Sequence, residues 1–100
     1  KFINNFTLEW YSKNSRTFNS GDVIEIIESS QNNMRLPLFL KKDDNEGLDF
    51  YFLGDLKVDK SFLEETFIID KKNDKKKAIV KMRMHLDKPI KEDLYRYIID

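Results

Sequence analysis

Two runs of alternating apolar residues on either side of a turn constrain the fold of this chain most strongly. Every second side chain is apolar between residues 36 and 41, and the same period returns between residues 48 and 58. An Asp/Asn/Gly cluster at residues 43–47 separates the runs, and such residues provide the left-handed conformations and local hydrogen bonds of a turn. A period of two on both sides of a turn predicts an antiparallel hairpin with one buried face. We therefore expect this hairpin at the centre of the core.

Three more segments have the pattern of strands. Alternation predicts a first strand over residues 6–11 and a last one over residues 78–86, which has one apolar and one mainly basic face. A further strand is predicted over residues 62–69, after a break at residues 59–61. One sheet face is then expected to bury the following side chains together: Leu36, Leu38, Leu40, Phe50, Phe52, Val80, Met82 and Met84.

Two short segments have helical patterns. Apolar residues at helical spacing predict a helix over residues 21–29, with Ser20 as its N-cap, and a closing helix over residues 91–99. The resulting order of elements is β-α-β-β-β-β-α. It predicts an α+β fold built on a strongly curved, mainly antiparallel sheet or a partly open barrel of about five strands.

Length and composition set the class of protein. One hundred residues suit a single domain, residues 1–100, and a hydrophobic fraction of 40% indicates a packed core. The chain begins with Lys1 instead of Met, so we expect it to be a piece of a longer multidomain protein. We also expect the domain to be monomeric. No apolar run approaches the ~20 residues that span a bilayer. Zero cysteines agree with a reducing compartment, which predicts a cytoplasmic location.

The residue types present predict a domain without catalytic residues or cofactor. There is one histidine and no cysteine, and neither a Gly-rich phosphate loop nor a serine-elbow motif is found. The carboxylates Asp43, Asp44 and Glu46 lack the spacing of a calcium loop, so no metal site is predicted. Lys+Arg and Asp+Glu both number 18, and any basic surface must therefore come from local segregation of charge.

Basic residues are concentrated near the C-terminal strand. Five lysines lie between residues 71 and 77, in a predicted hairpin loop, and three more basic residues follow on one face of the next strand. Clustered cations of this kind neutralise DNA phosphates, although a charge run in a turn is also typical of a solvated loop. The predicted contacts to the DNA backbone are Lys71, Lys72, Lys75, Lys76, Lys77, Lys81, Arg83 and His85.

Aromatic residues beside polar loops form a second candidate set. Trp10, Tyr11, Phe39 and Tyr51 lie in predicted strands, and alternation places Phe39 and Tyr51 off the core face. Aromatic faces stack on extruded bases. The alternative is that these side chains complete a second small core against a helix.

Six short motifs occur in a fixed order along the chain: Phe6-Thr7-Leu8-Glu9-Trp10-Tyr11-Ser12, Arg16-Thr17, Leu38-Phe39-Leu40-Lys41-Lys42, Phe50-Tyr51-Phe52-Leu53-Gly54, Leu86-Asp87-Lys88-Pro89-Ile90 and Asp93-Leu94-Tyr95. Their succession resembles the uncharacterised domain at the C-terminal end of bacterial superfamily-two helicases with a phospholipase-D-like nuclease head. The SauUSI-type, modification-dependent (type IV) restriction enzymes belong to that group. The resemblance implies a fold similar to the PUA/SRA-like class of curved barrels. It also implies partners, namely double-stranded DNA carrying methylated cytosine and the parent helicase and nuclease domains.

Selectivity for one methyl group cannot come from backbone charge, which carries no sequence information. It requires an apolar contact in the major groove or a pocket that receives a flipped base. Rigid walls favour strand residues, and the loop after the first strand could supply polar groups. The predicted base-recognition set is therefore Trp10, Tyr11, Ser12, Asn14, Arg16 and Tyr51. Two other interpretations stay open: a protein-interaction or structural domain that docks on its own helicase, and, less favoured, an independent small enzyme.

Overall fold

Four antiparallel strands and two helices form the part of the chain that the computed structural model describes, residues 1–41 and 50–99. The elements are β1 Thr7–Tyr11, α1 Gly21–Ile27, β2 Pro37–Leu40, β3 Tyr51–Asp70, β4 Lys75–Leu86 and α2 Glu92–Ile99. They form one open sheet in the order β1-β4-β3-β2. The α+β class and the antiparallel sheet are thus confirmed, and so are both helices. The predicted turn at residues 43–47 lies outside the described residues.

Both helices lie on the same side of the sheet. On one side Val23 of α1 packs into a cluster with Leu8, Met82 and Met84. The ring of Tyr95 in α2 meets that of Phe2, which also packs against this cluster, at 5.8 Å. We call this the helix face. Paired residues of antiparallel strands point to the same side of a sheet, and successive residues of one strand alternate between the two sides. The residues that alternate with those of the helix face therefore lie on the opposite side, which we call the open face.

The fully buried core is narrower than the sequence predicts. Val80, Met82 and Met84 are buried as expected, whereas Leu36, Leu38 and Leu40 are only half-buried. The prediction was wrong for two side chains, because Phe50 and Phe52 are 60% and 54% exposed.

A one-residue bulge explains the exposure of Phe52. Leu38 and Phe39 of β2 are consecutive, yet they pair with Gly54 and Phe52, which leaves Leu53 without a partner of its own. An extra residue in one strand reverses the inward and outward alternation beyond it. Phe52 therefore joins Phe39 on the open face, with ring centroids 5.2 Å apart. Gly54 adopts a φ of +121° beside the bulge, a conformation that side chains rarely allow.

The predicted break at residues 59–61 is a second irregularity inside one long strand. Asp59 pairs with Arg83 and Leu63 with Met82, so residues 60–62 loop out between two consecutive partners on β4. The Asp59 carboxylate accepts a hydrogen bond from the Ser61 N–H at 2.9 Å, which turns the chain locally before pairing resumes. The two predicted strands are therefore one, and the described sheet has four strands instead of about five.

The N-terminus of α1 is held differently from the prediction. Ser20 occupies the N-cap position, but its hydroxyl accepts from the Thr17 N–H at 2.9 Å and does not bond to the helix. Asp22 accepts from the Val23 N–H instead. Among the described residues, neither helix is long and apolar enough to cross a membrane.

Candidate functional site

Charged and polar side chains from three strands lie next to one another on the open face. Three β4 residues on this face each lie between one residue of β1 and one of β3, which gives three rows. The rows are Thr7–His85–Lys57, Glu9–Arg83–Asp59 and Tyr11–Lys81–Glu64. The basic stripe predicted on β4 therefore lies between carboxylates, which the sequence of β4 alone could not indicate.

His85 links all three strands. Its Nε2 lies 2.7 Å from Asp59 Oδ2, and its Nδ1 lies 2.9 Å from Thr7 Oγ1. The hydrogen bond from His85, followed by the one from the Ser61 N–H, holds the pKa of Asp59 below its ordinary value. An ionised carboxylate can only accept, so Nε2 donates the proton. The order Thr–His–Asp is that of a hydrolase triad, but Thr7 is only 3% exposed, which closes its hydroxyl to a substrate.

Glu9 is held in its ionised form at the centre of the open face. The Tyr11 hydroxyl donates to its Oε1 at 2.5 Å, and Lys81 Nζ lies 3.7 Å from its Oε2. The hydrogen bond from Tyr11 is the largest cause of a lowered pKa at Glu9, and Lys81 and Arg83 act in the same direction. Tyr11 responds in the opposite sense, because the neighbouring carboxylate raises the pKa of its phenol.

A cavity of 380 Å³ lies beside Glu9, where residues 60–62 leave the sheet. We call it the bulge cavity. The guanidinium of Arg83 stacks on the ring of Phe62 with its central carbon 4.4 Å from the ring centroid. Phe62 is nevertheless 49% exposed. The lining residues are Glu9, Ser61, Phe62, Leu63, Glu64, Lys81, Met82 and Arg83.

A group of exposed lysines stands at the turn between β3 and β4. The turn spans residues 71–74, and is shorter than the predicted loop of residues 71–77, because Lys75, Lys76 and Lys77 belong to β4. Lys77 is paired with Asp70 at 3.2 Å. The other four, which we call the turn lysines, form no ion pair with any residue that the structure describes. They are Lys71, Lys72, Lys75 and Lys76.

The comparison with protein families gives one match, which covers residues 1–98 of the 100. The model matched is described as Domain of unknown function (DUF3427). The chain belongs to the DUF3427 family. No curated protein matches the sequence.

The six side chains predicted to recognise a base are dispersed over this DUF3427 domain. Trp10 lies on the helix face, where it packs against the core and lines a cavity of 300 Å³ with Ile26, Leu38 and Met84. Tyr51 begins β3 and has its ring 6.2 Å from that of Tyr97 in α2. Trp10 pairs with Met82, and Met82 pairs with Leu63 near the middle of β3. Trp10 and Tyr51 therefore lie at different points along the sheet.

The polar members of the set have local structural partners. Ser12 is buried, and its hydroxyl accepts from the Val80 N–H at 2.8 Å and donates to the Lys13 carbonyl at 2.9 Å. Arg16 Nε donates to Asp22 at 2.9 Å, and its Nη1 donates to the carbonyl of Asn14 at 3.2 Å. Of the six, Tyr11 is the one beside the bulge cavity, through its bond to Glu9.

Sequence reasoning missed Phe62 and Glu9. Both were assigned only to strands. The cavity forms because residues 60–62 loop out of β3 and because the register of β1 places Glu9 beside Arg83, and neither follows from the alternation of residues alone. A usable signal was the polar run Asp59-Lys60-Ser61 followed by an aromatic residue inside an otherwise strand-like stretch. Among the described residues, no group of three or more His, Asp or Glu side chains is placed to hold a metal ion.

Proposed function

We propose that this DUF3427 domain is a non-catalytic DNA-binding module whose turn lysines contact the phosphate backbone of duplex DNA. The observation that carries the proposal is the difference between paired and unpaired lysines along β4. Lys77 and Lys81 lie beside carboxylates, whereas the turn lysines are exposed and form no ion pair within the described chain. A cation that is not already paired can replace a condensed counterion on DNA without breaking an internal ion pair.

The zero net charge of the chain makes the location of these lysines decisive. Protein and DNA would not attract one another through overall charge, so association depends on the potential near the turn. The turn lysines lie at the far end of the β3–β4 hairpin. They lie beyond Lys81, which is the β4 residue nearest the turn that still pairs with β1. A hairpin end of this kind can follow a phosphate backbone without bringing Glu9 and Asp59, which pair with Arg83, close to it.

The resemblance to the C-terminal domains of restriction helicases supports a more specific role. In this proposal the domain is the target-recognition module of a cytoplasmic restriction helicase, and it senses a 5-methylcytosine-type base in duplex DNA. Its partners are then modified DNA and the helicase and nuclease domains of the parent protein. The PUA/SRA-like fold class is part of the same proposal, and the strand bulges that bend an antiparallel sheet support it.

Salt-dependent binding tests the phosphate contacts. Replacing Lys72, Lys75 and Lys76 by Ala should weaken binding to every duplex sequence alike. It should also flatten the slope of log K against log salt by roughly 0.9 for each phosphate that is no longer neutralised. The measurement is fluorescence anisotropy of a labelled duplex over a salt series.

The matched control removes the same charge elsewhere. Replacing Lys13, Lys88 and Lys91, which are also exposed, should leave the slope close to that of the wild type. Equal slopes in both triple variants and the wild type would show that the turn lysines are only solvated. Competition between methylated and unmethylated duplexes tests the recognition role, which predicts a preference for the methylated one.

A protein-docking role is the second candidate, and exposed apolar residues near the hairpin end favour it. Phe67 and Ile69 are both 64% exposed and lie on the helix side of β3, beyond the core. In that case Phe67→Ser should weaken association with the helicase part of the parent protein while duplex binding stays unchanged. The reverse result, loss of duplex binding with association retained, would reject docking through this surface.

A further inference from the structure

The bulge cavity combines three features that a planar, hydrogen-bonding ligand needs. It has a stacked wall made by Phe62 and Arg83, carboxylates from two strands, and a stretch of backbone that is absent from the ladder. Its volume of 380 Å³ falls within the range of about 300–1,000 Å³ that is typical of small-molecule pockets.

We propose that the bulge cavity binds one unstacked nucleobase that carries an exocyclic amino group. The inference rests on the proposed function for the source of the base, which is then a nucleotide of the bound DNA. It differs from the predicted recognition set, because the contacts come from Glu9, Phe62 and Arg83 on the open face.

Stacking is the first reason. Bases that have left a helix are held by aromatic rings or by the planes of arginine side chains. Phe62 and Arg83 provide both as one layered wall, with 4.4 Å between guanidinium carbon and ring centroid. Half of the Phe62 side chain is exposed to water, so a stacked base would remove apolar surface from solvent.

The hydrogen-bonding edge is the second reason. Glu9 lines the cavity from β1, where it pairs with Arg83, and Glu64 lines it from β3, where it pairs with Lys81. Ionised carboxylates only accept hydrogen bonds, and their partners among the bases are the amino groups of cytosine, adenine and guanine. Lys81 and Arg83 add donors for the ring nitrogens and carbonyl oxygens of the same base. Thymine has no amino group and should therefore bind more weakly.

The bulge backbone is the third reason. Residues 60–62 have no partner on β4, because Asp59 and Leu63 take the consecutive positions. The Ser61 N–H is already bonded to Asp59, which fixes the shape of the bulge. Ser61 and Phe62 of this bulge line the cavity, so a bound base would lie against backbone that has left the ladder.

The test is a titration of ¹⁵N-labelled protein with deoxynucleoside monophosphates, followed by NMR. It is run at ~0.5 M salt, where screening suppresses attraction of the phosphate to distant lysines. Deoxycytidine and deoxyadenosine monophosphate should shift the amide signals of residues 61–64. Thymidine monophosphate should shift them less, and deoxyribose 5-phosphate should leave them in place.

Two matched variants identify the wall. Phe62→Ala should weaken binding by about 5- to 150-fold, the equivalent of the ~1–3 kcal/mol that base–aromatic stacking contributes. Phe67→Ala is the control, because Phe67 is on the same strand and even more exposed but faces the other way. Glu9→Gln should reduce the preference for deoxycytidine over thymidine monophosphate.

Three outcomes would overturn the inference: equal shifts with deoxyribose 5-phosphate, unchanged affinity in Phe62→Ala, or equal weakening in Phe67→Ala. A short oligodeoxycytidine that binds better than deoxycytidine monophosphate and an abasic oligomer would identify DNA as the source of the base. Equal affinity of oligomer and monophosphate would support a free nucleotide in the same cavity. The lysine triple variant should bind the monophosphates like the wild type, so the proposed function and this inference fail separately.

Discussion

Truncating Phe52 tests the bulge that determines the faces of the sheet. Burying a Phe side chain fully is worth about 1.5–3 kcal/mol, so a residue that is 54% exposed retains roughly 1 kcal/mol of this. The tilted contact with Phe39 at 5.2 Å adds about 0.5–1.5 kcal/mol. Solvent fills the space that truncation leaves, so no cavity cost arises. Phe52→Ala should therefore lower the free energy of unfolding by about 2 kcal/mol.

Urea unfolding, followed by the fluorescence of the single tryptophan, measures this difference. The reference variant is Met82→Ala, which removes a fully buried side chain and should cost about 2–5 kcal/mol. A double-mutant cycle with Phe39→Ala should give a coupling of about 0.5–1.5 kcal/mol.

The refuting result is a loss of about 3–5 kcal/mol in Phe52→Ala, the range for a core phenylalanine. It would mean that Phe52 faces the helices and that strict alternation continues through Leu53. A coupling of zero with Phe39 would likewise show that the two rings do not meet on the open face.

Two further changes test the bonds that hold the strands around the open face. Asp59→Asn should destabilise the domain at neutral pH, and the difference from the wild type should shrink as the pH falls below the ordinary pKa of 3.8. The reason is the lowered pKa of Asp59, whose stabilising bond to His85 is complete above that value and is lost on protonation. Ser12→Ala should cost about 1–3 kcal/mol, because it leaves the buried Val80 N–H without an acceptor. Urea unfolding at a series of pH values checks the prediction for Asp59→Asn. Urea unfolding at neutral pH checks the prediction for Ser12→Ala.

Each of these changes has a control on the same fold. Glu25→Gln alters an exposed carboxylate on α1 and is the control for Asp59→Asn. Ser30→Ala removes an exposed hydroxyl and should change stability by less than about 0.5 kcal/mol. A pH-independent effect of Asp59→Asn, or a Ser12→Ala variant as stable as Ser30→Ala, would contradict the assigned bonds.

Local patterns in the sequence predicted the strands and helices in which buried and exposed positions alternate regularly. β4 alternates without interruption, and its even-numbered residues are buried as expected from Val80 to Leu86. Both helices have an apolar stripe, and the structure places them within two residues of the predicted bounds. Periodicity failed at the irregular positions, because one unpaired residue at Leu53 reverses the faces without any change in residue types.

The candidate site was less predictable, because it depends on register between distant strands. The lysines of β4 could be counted, but their pairing with Asp70 or Glu9 follows from which residues of β3 and β1 lie alongside. Asp59-Lys60-Ser61 was interpreted as the end of a strand, since a looped-out bulge and a turn use the same residue types. Its aromatic neighbour Phe62 was consequently assigned to a new strand instead of a cavity wall.

The order of folding follows from the distances along the chain that the sheet has to close. β3 and β4 are joined by the four residues 71–74, whereas the Thr7–His85 bond joins positions 78 residues apart. Closing the longer loop costs about 2–3 kcal/mol more, at ~0.6 kcal/mol per doubling of length. We expect the hairpin to form early and β1 to join last, so β1 amides should exchange hydrogen at a lower opening free energy than those of β4. Glu9 belongs to β1, and the wall it contributes to the bulge cavity is then the last to assemble and the first to be lost.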